Sequence, residues 1–130
     1  MKLELALRDV INLNDGLTSL KDRKPSIAMS YKIAKNLYYV TEALNIYKTV
    51  EQDIIAEHID EEATNKLSSK EREEGRIIIK DSREYNSKMR ELNSANHDIE
   101  IDFLTLEELE ENFGDLTPDT LFKLMPIIKN

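Results

Sequence analysis

Residues 26–50 read SIAMSYKIAKNLYYVTEALNIYKTV, and the way this stretch is read decides the architecture. It contains neither proline nor glycine. Ile33, Leu37, Val40, Leu44 and Tyr47 recur at steps of four and three, which puts one apolar seam of heptad type on a helix. After Val50 and Glu51 the seam slips, and Ile55, Ile59, Ala63 and Leu67 continue at steps of four on a rotated face. The spacing predicts one long helix over about 26–67. At 1.5 Å per residue such a helix is about 60 Å long, whereas a compact domain of this chain length has a radius of gyration of about 14 Å. The rod must protrude, break or pack on another chain. The expectation is a homo-oligomer with Ile33, Leu37, Val40, Leu44 and Tyr47 as its seam.

Working toward the N-terminus, Leu3 and Leu5 alternate with charged residues, the period of a half-buried strand at about 2–6. Leu7, Val10, Leu13, Leu17 and Leu20 then take up helical spacing over about 8–20. KDRKPS, residues 21–26, breaks the chain, because proline disfavours helix in the residue before it and Ser26 can cap the long helix.

Toward the C-terminus, KLSSKEREEG (residues 66–75) is polar and reads as a closing loop. The triplet Ile77, Ile78, Ile79 reads as a strand over about 76–80. One glycine before it is too few for a phosphate-binding turn. Asp81 can cap a helix, with Glu84 completing a capping-box pair. HDIEIDFLT (residues 97–105) alternates apolar and acidic residues, a strand at about 98–104, with His97 at its start. Thr105 with Glu108, and Thr117 with Pro118, begin two short helices. The fold expected is α+β in a single domain over 1–130: one long helix, three or four shorter ones, and a sheet of about three short strands. The small α+β part comes from 1–20 and 76–130.

The chain of 130 residues carries 26 acids against 18 bases, a net charge of −8, unevenly spread: +3 over residues 1–50, −6 over 51–75 and −5 over 76–130. An acidic balance disfavours nucleic acid, whose phosphates attract Lys and Arg, and permits docking on a basic protein surface. Cysteine is absent, which excludes disulfides and thiolate metal sites and fits an intracellular, cytoplasmic protein. No apolar run approaches the length that spans a bilayer, so no membrane partner is expected.

Chemistry-bearing residues are sparse. His58, Glu61 and Glu62 share helical spacing and could reach one divalent metal, but a metal site wants three or more ligands and no second histidine lies near; ordinary ion pairs on a solvated face account for them. No serine sits in a nucleophile elbow, and acid pairs are too common here to single one out. We expect no enzyme, no catalytic residue, no metal and no cofactor. Tyr31, Tyr38 and Tyr39 on the long helix are candidate partner-binding anchors, since tyrosine combines contact area with a polar tip. Packing in the core is the leading reading for them, and a partner-binding surface the alternative. Glu107, Glu108, Glu110 and Glu111 form an acidic face for a basic partner.

MKLELALRDVINLNDGL at the start, PSIAMSYKIAKNL opening the long helix, IIIKDSREYNSKMREL, and the ending IEIDFLTLEELEENFGDLTPDTLFKLMPIIKN together resemble a widespread group of short proteins encoded by tailed phages and prophages of Gram-positive bacteria. The middle loop holds less glycine than the group's usual turn. The resemblance implies a phage origin and action inside the host cell, and it assigns no functional residue. The leading expectation is a non-enzymatic phage accessory protein that binds protein, blocking a host defence or housekeeping complex. Two readings stand beside it: a virion component or assembly chaperone, and a sponge sequestering a nucleotide signal, for which Lys21, Arg23, Lys24, Lys32 and Lys35 are the clustered bases.

Overall fold

A computed structural model describes residues 1–129. The elements run β1 (Lys2–Ala6), α1 (Leu7–Lys21), α2 (Ile27–His58), α3 (Glu61–Asn65), α4 (Ser69–Glu73), α5 (Ser82–Ser94), β2 (Asn96–Glu100), α6 (Leu106–Asn112), α7 (Pro118–Leu124) and a 3-10 turn, Met125–Ile127. The fold is α+β. No helix among the described residues is long and apolar enough to cross a membrane.

Where the sequence reading has a single domain, the chain divides into two compact units, Met1–Asn45 with Ala95–Asn130, and Ile46–Ser94. In the first, β1 and β2 pair antiparallel, Leu3 opposite Ile99 and Leu5 opposite His97. The core beneath them draws Val10, Leu13, Leu17 and Leu20 from α1, Met29, Ile33 and Val40 from α2, and Leu109, Leu124 and Ile127 from the C-terminal helices. α1 and α7 approach closely at Gly16, where an added Cβ would lie 3.0 Å from Leu124 Cδ2 and 3.3 Å from Lys123 Cβ.

The expected third strand does not join this sheet, which has two strands. Residues 76–80 make only a single antiparallel bridge, Ile79 with Ile59. The strand expected over 98–104 is also shorter, because its second half changes partner: Ile101 N–H donates to the Met1 carbonyl (2.9 Å), and Leu104 N–H to that of Ile127 (2.9 Å).

The long helix stops at His58 rather than near Leu67. Asp60 ends the run by turning its own side chain into a cap, its carboxylate accepting from Ala63 N–H at 3.0 Å to start α3. The β-branched Ile59 is drawn into the bridge with Ile79. The polar stretch read as a loop holds α4, whose cap is Ser68: its hydroxyl accepts from Glu71 N–H at 3.2 Å. Asp81 caps α5 as expected, accepting from Arg83 and Glu84 N–H. The Glu84 side chain, however, leaves the box for His58, 3.6 Å away.

The second unit is built differently from the first. None of its apolar side chains is fully buried, and His58 is its one buried residue. Half-buried apolar side chains such as Ile54, Ile55, Tyr85, Met89 and Leu92 are joined there by polar contacts: Tyr47 hydroxyl to Asn93 (2.7 Å), Lys88 to Glu57 (2.8 Å), and His58 Nδ1 against the Ile54 carbonyl (2.9 Å).

Candidate interaction surface

The two faces of α2 within the first unit have opposite fates. Met29, Ile33, Asn36 and Val40 are buried, and Leu37 and Leu44 pack against the core from its margin. The seam Ile33, Leu37, Val40, Leu44 is therefore covered by this chain and is not left open for a second copy. Tyr47, its last member, is half-buried in the second unit. A heptad stripe specifies that something covers it, not which chain does.

On the far side, Ile27, Tyr31, Ala34, Tyr38, Thr41 and Asn45 keep the same four-three spacing, and all are exposed. Ile27 is 90% exposed, Tyr31 69% and Tyr38 65%. Large apolar side chains standing in line toward solvent are the uncommon observation, since scattered ones mean nothing. The Tyr38 ring is steadied by Tyr39, edge to face with centroids 5.4 Å apart. Tyr39 itself packs against the core, so of the three tyrosines singled out from sequence two are presented and the third is their support.

Tyr38 also forms one wall of a cleft of about 500 Å³ between the helices, lined by Asn14, Thr18 and Lys21 from α1 and by Leu37, Thr41, Glu42 and Asn45 from α2. Its lining is mainly amides and hydroxyls with one charge of each sign. The five clustered bases do not converge on it: Arg23 pairs with Asp115 and lies over the Phe113 ring, and Lys32 pairs with Glu108.

The four glutamates of the acidic face also separate. Glu107, Glu110 and Glu111 are exposed. Glu108 is not free to steer a partner. Its carboxylate completes the capping box with Thr105 and takes the Lys32 ammonium at 2.9 and 3.0 Å. The Lys32 hydrogen bond holds its carboxyl below the usual carboxylate range, against the opposing pull of partial burial.

His58, Glu61 and Glu62 part company at the end of α2. The imidazole is buried, whereas both carboxylates are exposed on α3. Among the described residues, no group of three or more His, Asp or Glu is placed to hold a metal ion. His97 lies on β2, its Nε2 buried without a hydrogen-bond partner.

Sequence reasoning missed Asn36. It is fully buried on the core side of α2 and bonds the backbone of Asp102 twice. Its signal was a lone amide at the four-three spacing of Met29, Ile33 and Val40. Compared with known proteins, the chain matches no family model, no curated protein and no solved structure.

Proposed function

We propose that the chain works by binding another protein through the outward stripe of α2, as a non-enzymatic accessory protein. The observation that carries this reading is the alignment of Ile27, Tyr31 and Tyr38, each about two-thirds exposed or more, on the face turned from the core. Aromatic anchors of this kind supply most of the energy of many interfaces, and a neighbouring ring that fixes the rotamer reduces the ordering cost on binding. The exposed Glu107, Glu110 and Glu111 add charge that speeds encounter with a basic partner.

The setting proposed with it is a phage-infected cell, with inhibition of a host defence complex as the outcome. That part rests on the sequence resemblance alone. Self-association through the inner seam is disfavoured, since Ile33 and Val40 are buried and Leu37 and Leu44 pack against this chain's own core.

Affinity capture from infected cells, with the wild-type chain and with Tyr31→Ala/Tyr38→Ala in parallel, tests the reading. Both residues are exposed, so the variant is expected to keep its circular dichroism spectrum. A protein retained by the wild type and lost by the folded variant supports the stripe as the interface. Identical captured sets from both would refute it.

A further inference from the structure

The bridge between Ile59 and Ile79 uses only one edge of the isoleucine run. Asp60 N–H donates to the Ile78 carbonyl (2.7 Å), Lys80 N–H to the His58 carbonyl (2.8 Å), and Ile78 N–H to the Thr64 hydroxyl (2.9 Å). In extended backbone the main-chain groups of successive residues point to opposite edges. Ile78 and Lys80 face inward, so Ile77 and Ile79 face out. Among the described residues, neither the N–H nor the carbonyl of Ile77 or Ile79 has a hydrogen-bond partner. Three consecutive β-branched residues favour this extended form, and the short edge they leave is flanked by Arg76 and Lys80, which guard it against a like-charged strand.

We propose that this outer edge accepts an extended, acidic peptide segment as an added strand. Donors and acceptors alternating in pairs about 7 Å apart match one common ligand, another extended polypeptide. Charge selects which. Arg76 and Lys80 flank the triplet. Lys80 has no ion pair among the described residues, and the adjacent Asp81 carboxylate is committed to capping α5. Arg76 is held only loosely, 3.7 Å from Glu71 and from Glu74.

A second copy fits poorly. Antiparallel pairing that joins Ile77 to Ile79 of the other copy sets Arg76 across from Lys80, and like charges directly opposite destabilise a strand pair. A segment with carboxylates at those two positions reverses the sign. This surface is distinct from the α2 stripe and stands whether or not that stripe binds a partner. Four backbone bonds at most make it a weak contact by itself.

The test is a titration of the full chain, labelled with nitrogen-15, with the blocked peptide Glu-Val-Glu-Val-Glu. The same peptide methylated on every backbone nitrogen and the peptide Lys-Val-Lys-Val-Lys serve as comparisons. The amide signals of Ile77 and Ile79 are expected to move with the acidic peptide, with affinity at least tenfold lower for both comparison peptides. Ile79→Pro removes an outward donor without removing a hydrogen bond that the fold makes, and is expected to abolish the effect. If that variant fails to fold, the methylated peptide still decides. Equal binding of the methylated peptide, equal binding of the lysine peptide, or movement of these amides on dilution of the protein alone would each overturn the proposal.

Discussion

Asn36 binds the main chain of Asp102 as a strand would. Its Oδ1 accepts from Asp102 N–H at 2.8 Å and its Nδ2 donates to the Asp102 carbonyl at 2.9 Å. The chain leaving β2 has no neighbouring strand at that point, and a single buried amide on α2 supplies both missing partners. Asn36→Ala is expected to cost on the order of 2–4 kcal/mol, because it strands one backbone donor and one acceptor in the interior. Urea denaturation reads this as a lower midpoint with an unchanged slope. A loss under about 0.5 kcal/mol would show that water replaces the amide.

The Lys32–Glu108 pair makes a pH prediction whose sign is set by the lowered Glu108 carboxyl. A carboxylate whose folded pKa lies below its unfolded one contributes stability that is fully present above the unfolded value, about 4.3. That contribution is lost as pH falls through the folded value. Glu108→Gln is therefore expected to destabilise the chain at pH 7 and to be nearly neutral in strong acid. Since the pair is partly exposed, the difference at pH 7 should not exceed about 1 kcal/mol. Urea midpoints of both proteins across the acid range check it.

Gly16 lies where α1 meets α7, against the fully buried Leu124. Alanine gains about 1 kcal/mol of helix propensity. Overpacking a core side chain that cannot retreat costs typically about 1–3 kcal/mol. Gly16→Ala should destabilise by about 1 kcal/mol, and Gly16→Val by more. A melting temperature raised by Gly16→Ala would mean that α7 shifts freely.

Reversing Glu107, Glu110 and Glu111 to lysine is expected to slow association with a basic partner severalfold at low salt and leave dissociation little changed. Adding Glu108→Lys should unfold α6 from its cap instead of steering further, because that carboxylate bonds Thr105 and Lys32. Association rates at two salt concentrations, with folding monitored by circular dichroism, separate the two effects.

Much of the local structure was legible because it is local. Asp81, Thr105 and Thr117 cap the helices their positions predict, and the alternation around Leu3, Leu5 and Ile99 marks the two paired strands. The end of α2 was not legible, since His58–Glu62 are acceptable in a helix and the bridge of Ile59 to the distant Ile79, which accompanies the Asp60 cap, has no local signature. The one local signal of that break is Asp60, a good capping residue three positions before Ala63. The outward stripe was half legible. Its tyrosines stand out in the sequence, but the choice between the two faces of α2 depends on where β2 and α6 return, and no local spacing contains that.

The absence of a fully buried apolar side chain in Ile46–Ser94 sets an energetic hierarchy within the chain. Amide hydrogens there are shielded mainly by helical turns and a few solvent-edge polar contacts, so their exchange with deuterium is expected to proceed through low-cost, sub-global opening. Amides beside Leu13, Leu17 and Ile33 should exchange only on global unfolding. A ligand seated on the isoleucine edge would then reveal itself by slowing the fast class, from Ile59 through Tyr85, while leaving the slow class where it was.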